Sequence, residues 1–190
     1  MKIGVLALQG AFAEHEKVLE QLGAECIELR QARNLSEPYD ALVLPGGEST
    51  VQGKLLKELG MFDIMKSQIE NGMPVLATCA GAILLAETID GQMKGQPDQY
   101  FGTIPMRIRR NAYGRQLGSF HTEAQVAGIG TVPMTFIRAP YIASVGNGVE
   151  VLAVVEERIV GVKYKNQVAF SFHPELDPDV RIHKAFLEMI

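Results

Sequence analysis

The chain has 190 residues, with 47% apolar and 21% charged side chains, an ordinary composition for a globular protein with a buried core. A formal charge of −4, with no basic run, argues against nucleic acid as a partner. Two cysteines exclude a disulfide scaffold and a cysteine-rich zinc site. No window reaches the about 20 apolar residues that a membrane span needs. We therefore expect one domain over residues 1–190.

The amino-terminal run Ile3–Leu8 imitates the apolar core of a signal peptide. It ends at Gln9 after six residues, short of the usual ~7–15. A buried first strand explains the run better, and we expect the protein to be cytoplasmic.

Short apolar runs alternate with amphipathic stretches over the first 90 residues. The runs lack a polar–apolar alternation, and such runs are typical of strands buried on both faces of a parallel sheet. The predicted strands are Lys2–Leu8, Glu25–Leu29, Ala41–Leu44 and Pro74–Thr78. The predicted helices run from Gly10 to Gly23, from a cap at Ser49 or Thr50 toward Leu59, from Met61 to about Asn71, and from Cys79 through Leu85. This order predicts an α/β fold with a doubly wound, mostly parallel sheet that helices flank.

The second half of the chain has a different pattern. Gly91–Gly102 is polar and predicts a loop. Ile104–Ser171 contains short, alternating strands, which indicate antiparallel additions to the sheet. Turns are expected at Asn111, Gly146-Asn147-Gly148 and Lys165-Asn166. Val180–Met189 predicts a closing helix.

Cys79 is a candidate nucleophile. It follows a buried strand, precedes a helix and has small neighbours, as a sharp strand-to-helix turn requires. Such a turn lifts the side chain above the carboxyl edge of the sheet, where ligands bind in these folds. The helix N-terminus favours a thiolate and offers N–H groups to an oxyanion. Taken alone, however, a cysteine here is more often a small buried hydrophobe. Cys26 lies within a strand, lacks such a turn and is interpreted that way.

His173-Pro174-Glu175 supplies a candidate acid–base pair. Pro174 favours an extended conformation in the residue before it, and residues i and i+2 of an extended segment share a face. A carboxylate beside an imidazole fixes its tautomer and stabilises its charged form. The alternative is a histidine that merely completes the end of a strand. His15, His121 and His183 have no such neighbour in sequence; His15 and His183 are interpreted as structural or solvated.

Pro45-Gly46-Gly47-Glu48-Ser49 follows the third predicted strand. Two glycines allow a backbone to approach a ligand and direct its N–H groups toward it. A phosphate-binding loop is a weaker alternative, because no Lys-Ser/Thr follows the glycines. An ordinary turn is the other alternative.

Together these elements resemble the class I (triad-type) glutamine amidotransferases, whose fold is flavodoxin-like. Within that class the chain is most similar to the glutaminases that serve pyridoxal 5′-phosphate synthases. The matching segments are Gly4–Gly10, Leu44–Thr50, Thr78–Gly81, Arg110–Gln116, Phe136–Pro140 and Ser171–Leu176. One departure is Ala77, where many relatives have glycine.

The resemblance implies a role for each matching residue. It makes Cys79 the nucleophile and His173 and Glu175 its relay, with no cofactor and no metal. It assigns contacts with L-glutamine to Gly47, Glu48, Ser49, Arg110, Ile137 and Arg138. The backbone N–H groups of Gly47 and Ala80 are expected to form the oxyanion hole.

The resemblance also implies a partner, the synthase subunit of pyridoxal 5′-phosphate synthase, in a hetero-oligomeric complex without nucleic acid or membrane. The chain offers no second substrate domain, so the ammonia should pass to that subunit. Three alternatives remain. One is the glutaminase of another class I enzyme, such as imidazole glycerol phosphate synthase; the second is a DJ-1-like chaperone or hydrolase; the third is a non-catalytic, partner-binding homologue.

Overall fold

The structure, a computed structural model, describes residues 1–91, 99–110 and 119–190. Its strands are β1 (Lys2–Leu6), β2 (Glu25–Leu29), β3 (Ala41–Leu44), β4 (Val75–Thr78), β5 (Ala86–Asp90), β6 (Ile104–Arg109), β7 (Ser119–Val126), β8 (Gly130–Ile137), β9 (Tyr141–Val145), β10 (Glu150–Val155), β11 (Arg158–Tyr164) and β12 (Gln167–Phe170). Its α-helices are α1 (Phe12–Gln21), α2 (Ser49–Glu58), α3 (Phe62–Glu70), α4 (Ala80–Leu85) and α5 (Arg181–Leu187), and short 3₁₀ helices cover Ala32–Ser36 and Pro174–Leu176.

Parallel strands form one half of the sheet, in the order β2-β1-β3-β4-β12. All four residues of β3, β4 and β12 are buried, because helices cover both faces of this region. The predicted parallel sheet is confirmed, and its first four strands are the four predicted from the apolar runs.

Antiparallel strands form the other half. β12 pairs with β11, and the sheet continues through β10, β7 and β8. β9 pairs antiparallel with both β11 and β6, which confirms the predicted antiparallel additions. β5 departs from the prediction, because it follows α4 directly and pairs parallel with β6. The predicted turn at Asn111 and part of the predicted loop Gly91–Gly102 lie outside the described residues.

Two apolar cores lie on the two faces of the sheet. One includes Leu56 of α2, Met65 of α3 and Leu84 of α4. The other includes Leu19 of α1 and Phe186 of α5. Helices therefore pack on both faces, as a doubly wound sheet requires.

The carboxyl ends of β1, β3, β4 and β12 meet at one edge, because these strands run parallel. The strand order reverses beside β1, and ligands bind at such a switch point in open α/β sheets. Within the described parts of the chain, no helix is long and apolar enough to span a membrane.

Candidate active site

Cys79 occupies a strained turn between β4 and α4. Its φ is 47° and its ψ is −101°, a conformation that L-residues rarely adopt outside functional sites. Its N–H donates a hydrogen bond to the Phe170 carbonyl at 2.8 Å, which ties the turn to β12. A Cβ atom at Gly81 would lie 2.0 Å from the Leu44 carbonyl oxygen, so α4 can approach β3 only with glycine there. The predicted sharp turn with small neighbours is confirmed.

Ala77, the departure noted in the sequence, causes no distortion of β4. It pairs in register with Leu44 on one side and with Ala169 on the other. It is fully buried, so its methyl group is accommodated within the core.

His173 and Glu175 meet, although by a route other than the predicted one. Pro174–Leu176 is a 3₁₀ helix, so the segment is not extended and the argument from a shared strand face was wrong. The turn instead brings the Glu175 carboxylate beside the ring, with His173 Nδ1 2.6 Å from Glu175 Oε1. Both residues are buried, so the pair is shielded from solvent.

The electrostatics of His173 favour a cation beside the Cys79 sulfur. Burial opposes the charge of the imidazole, but hydrogen bonds and charges from Cys79 and Glu175 outweigh it and raise the pKa of His173 to about 10. Burial likewise opposes the charge of Glu175, yet the imidazoles of His15 and His173 hold its pKa below the ordinary range. The predicted nucleophile, acid–base group and orienting carboxylate therefore stand in one chain of contacts.

The glycine loop after β3 packs against these residues. A Cβ atom at Gly46 would lie 2.2 Å from His173 Cε1, and one at Gly10 would lie 1.8 Å from the Gly46 carbonyl oxygen. The Gly46 carbonyl accepts a hydrogen bond from the Ala11 N–H at 3.0 Å, and the Glu48 N–H donates to Gln9 Oε1 at 2.7 Å. The loop is thus fixed to the end of β1 by backbone approach that no larger residue permits.

Two backbone N–H groups near Cys79 have no partner within the described portion of the chain. They belong to Gly47 and to Ala80, the first residue of α4. Free N–H groups at a loop and a helix N-terminus can bind an anion. Their place on either side of the Cys79 turn agrees with the expected oxyanion hole, which stays a prediction.

A cavity of about 290 Å³ opens above Cys79, close to the lower end of the usual range for small ligands, about 300–1,000 Å³. Gly47, Glu48, Ile137 and Arg138 line it together with Cys79 and His173. The φ of Arg138 is 44°. Arg138 forms no ion pair with any residue that the structure describes, so its charge is available to a ligand.

Two residues predicted to contact glutamine, Ser49 and Arg110, do not line this cavity. Ser49 is the first residue of α2, where it is buried and provides no cap, because the N-cap position is Glu48. The Thr50 hydroxyl donates to the Glu48 carboxylate at 3.0 Å instead of capping the helix. Arg110 donates to the Tyr100 hydroxyl at 2.5 Å and is not among the residues that line the cavity. The rest of its motif, 111–116, lies outside the described residues.

The structure adds residues that the sequence did not single out. Gln52 is fully buried and donates to the carbonyls of Gln9, at 2.9 Å, and Pro45, at 3.2 Å. His15 is also fully buried, and its Nε2 lies 3.3 Å from Glu175 Oε2. The expectation that His15 lacks a carboxylate partner was therefore wrong, because that partner is distant in sequence.

The structure also shows the surroundings of His121, His183 and Cys26. His121 lies 3.2 Å from Asp177 Oδ1, again a carboxylate that sequence spacing did not reveal. His183 is fully buried and not solvated. Burial and the nearby carboxylates of Glu16 and Glu20 raise the pKa of the Cys26 thiol to about 12, so Cys26 is unsuited to nucleophilic chemistry.

The chain is similar to proteins of known family. The sequence profile described as the SNO glutamine amidotransferase family matches residues 5–190. A relative from Desulfitobacterium hafniense (strain Y51), named pyridoxal 5′-phosphate synthase subunit PdxT, is 60% identical over 100% of this chain and 94% of its own. A protein of the same name from Streptococcus pneumoniae serotype 2 (strain D39 / NCTC 7466) is 54% identical over 100% of this chain and 97% of its own.

Solved structures agree with this relationship. The crystal structure of a glutamine amidotransferase superposes with a TM-score of 0.92 at 44% identity, and covers 98% of this chain and 97% of that chain. A glutamine amidotransferase from Thermotoga maritima has a TM-score of 0.65 at 16% identity over 99% of this chain and 83% of its own, which supports the fold alone. The site geometry, the profile and the full-length relatives lead to one assignment: this chain belongs to the SNO glutamine amidotransferase family.

Proposed function

We propose that this chain is the glutaminase subunit of a pyridoxal 5′-phosphate synthase. It hydrolyses L-glutamine to L-glutamate and ammonia and passes the ammonia to a synthase subunit for vitamin B6 biosynthesis. The observation that carries the proposal is the contact chain Cys79–His173–Glu175, with 2.6 Å between His173 Nδ1 and Glu175 Oε1. It occurs in a chain 60% identical to a protein named as a subunit of that synthase. Cys79 and His173 line the cavity.

Glutamine binds with its side-chain amide above Cys79. Arg138, which has no ion-pair partner in the part of the chain that the structure describes, pairs with the α-carboxylate of the substrate, because an Arg fork matches a carboxylate. Glu48 lines the same cavity and is suited to the α-ammonium group. Gly47 and Ile137 also line the cavity and complete its contacts with glutamine. Ser49 and Arg110 do not line it and stay predicted contacts, Arg110 as a second candidate for the carboxylate.

The chemistry proceeds through a thioester. The Cys79 thiolate attacks the amide carbon, and the backbone N–H groups of Gly47 and Ala80 hold the resulting oxyanion. Each such donor contributes about 10²–10³ to the rate. His173 gives its proton to the departing ammonia, and it then acts as a base for the water that hydrolyses the thioester to glutamate. Glu175 keeps the imidazole in the required tautomer throughout.

The fate of the ammonia explains the need for a partner. Free ammonia would be protonated in water, so a synthase subunit receives it directly. Pyridoxal 5′-phosphate is then the product of the complex, and this chain needs no bound cofactor. We propose that residues 1–190 form a single glutaminase domain and that the protein acts in the cytoplasm.

The decisive measurement is glutamate formation from L-glutamine by the purified chain, alone and with an excess of a synthase subunit from the same source. We expect glutamate to form and pyridoxal 5′-phosphate to appear only when the synthase subunit and its sugar phosphates are present. Cys79→Ala should abolish both signals. Glutamate formation without any nitrogen transfer to the synthase would favour the glutaminase of another amidotransferase.

A further inference from the structure

A second buried imidazole lies behind the proposed triad, on the side of Glu175 away from His173. His15 belongs to α1, and both it and His183 of α5 are fully buried. His15 Nδ1 is 2.9 Å from His183 Nε2. On its other side, His15 Nε2 is 3.1 Å from Thr78 Oγ1 and 3.3 Å from Glu175 Oε2. The mechanism described so far uses neither imidazole.

Glu175 has one oxygen that His173 does not satisfy. Oε1 contacts His173 Nδ1, whereas Oε2 is buried and forms no hydrogen bond with the residues that the structure describes. A buried carboxylate oxygen without a donor is costly. His15 Nε2 lies 3.3 Å from this oxygen, an electrostatic contact without the geometry of a hydrogen bond.

The tautomer of His15 follows from its neighbours. A proton on Nδ1 would be donated to His183 Nε2, and His183 would then carry its own proton on Nδ1. That atom is buried without a partner among the described residues, so an orphan N–H would result, which is rare in proteins. The same tautomer would also direct a lone pair of His15 Nε2 at the Glu175 carboxylate.

A proton on His15 Nε2 removes both conflicts. His183 Nε2–H then donates to His15 Nδ1, and only an acceptor lone pair on His183 Nδ1 stays unsatisfied. The His15 Nε2–H lies between Thr78 Oγ1 and Glu175 Oε2. Thr78 Oγ1 also accepts the N–H of Gly46, at 3.0 Å, and a hydroxyl oxygen has the two lone pairs that this requires.

From this geometry we infer that His15 is a positioning residue for glutamine hydrolysis: its Nε2–H donates to Thr78, which holds the glycine loop of the proposed oxyanion hole, and the positive end of the same N–H dipole faces Glu175 Oε2 at 3.3 Å and orients the carboxylate. His15 acts as a neutral donor. Burial lowers the pKa of His15 against the attraction of Glu175 and Glu14, with His173 adding to the lowering, and burial lowers the pKa of His183 to about 3. The inference rests on the proposed function, because it assigns a role within that triad.

The test compares two amide side chains that differ by one methylene group. In His15→Gln the amide reaches the former Nε2 position and can still donate toward Thr78 and Glu175. In His15→Asn the shorter amide stays near the Nδ1 position, beside His183, and removes the N–H that faces Thr78 Oγ1 and Glu175 Oε2. Gln167→Leu serves as a stability control, since Gln167 is a buried partner of Thr103 at the opposite end of β12.

Two readouts are measured on the full chain: the pH dependence of Cys79 alkylation by iodoacetamide, located by peptide mass spectrometry, and kcat and KM for glutamine with the synthase subunit present. We expect His15→Asn to move the alkylation midpoint upward by about one pH unit and to lower kcat about 10-fold, the upper end of the range for a lost neutral hydrogen bond, here the one to Thr78. KM should change little, because His15 does not line the cavity. His15→Gln should stay within about threefold of the unmodified chain, and Gln167→Leu should lower the melting temperature without moving the alkylation midpoint.

The outcomes separate the inference from the proposed function. If His15→Asn and His15→Gln behave alike, or if neither moves the alkylation midpoint, His15 has no positioning role. If Gln167→Leu moves the midpoint as far as His15→Asn does, the effect is general destabilisation and the inference is likewise refuted. An unmodified chain in which Cys79 reacts no faster than Cys26 would instead refute the proposed function.

Discussion

His183 should make the folded chain sensitive to mild acid. The imidazole is fully buried, and burial lowers its pKa from 6.5 to about 3 despite the attraction of Glu175. Between these two values the unfolded chain binds a proton at this position and the folded chain does not. Stability linked to His183 is therefore fully present above pH 6.5 and is lost as the pH falls toward 3.

The size of the effect follows from the two pKa values. A pH of 5 is one and a half units below the pKa of 6.5 that the imidazole has in the unfolded chain, whereas the imidazole of the folded chain is still neutral at this pH. At about 1.4 kcal/mol per unit, His183 alone should cost about 2 kcal/mol of stability between pH 7.5 and pH 5. That is a large part of the roughly 5–15 kcal/mol that holds an ordinary domain together.

The matched variant is His183→Gln, whose amide can still donate to His15 Nδ1 but cannot titrate. Urea unfolding, followed by circular dichroism at pH 7.5 and pH 5, gives the free energy of unfolding of both chains. We expect the unmodified chain to lose about 2 kcal/mol more than the variant over this interval. Equal losses in the two chains, with equal m-values, would show that His183 does not carry the acid sensitivity.

Three further predictions concern the site itself. A glutamine-analogue chloroketone should label Cys79 and leave Cys26, whose pKa is about 12, unmodified in the peptide map; labelling of Cys26 would contradict this. Glu175→Gln should lower kcat for glutamate formation by about 10⁴ through the wrong imidazole tautomer, and it should lower the pKa of His173 seen by NMR from its value of about 10; an unchanged titration would refute the pairing. Arg138→Ala should raise KM for glutamine about 10–100-fold, as expected for a lost charged hydrogen bond, with Arg110→Ala as the comparison; an unchanged KM in both would exclude the arginines from carboxylate binding.

The parallel half of the fold could be predicted from the sequence because its strands are buried on both faces and therefore apolar throughout. Glycines also marked real boundaries: Gly72 follows α3 with φ of 97°. The turn at Glu156-Glu157 was not predictable, since both residues have positive φ although glutamate rarely favours it. β5 was not predicted because it follows α4 directly, with no turn residues between them.

The candidate site, like the fold, could be predicted from the sequence only in part. Cys79, His173 and the glycine loop could be found because each is a local pattern at the end of an apolar run. The contact between His15 and Glu175 joins residues 160 positions apart, and α1 reads as an ordinary amphipathic helix. Only the packing of α1 against the 3₁₀ helix Pro174–Leu176 brings the imidazole to the carboxylate, and no periodicity encodes that contact.

The central position of β12 has a consequence for the order of events during folding. β12 lies between β4 and β11, yet it is the last strand in the chain, and it pairs Phe170 with Thr78 over more than ninety residues. Contacts of such high sequence separation form slowly because loop closure must precede them. Until β12 inserts, the edge of β4 is open and Cys79 has no imidazole beside it. In a nascent or partly folded chain the proposed triad is therefore incomplete, and we expect glutamine hydrolysis only once the sheet is complete.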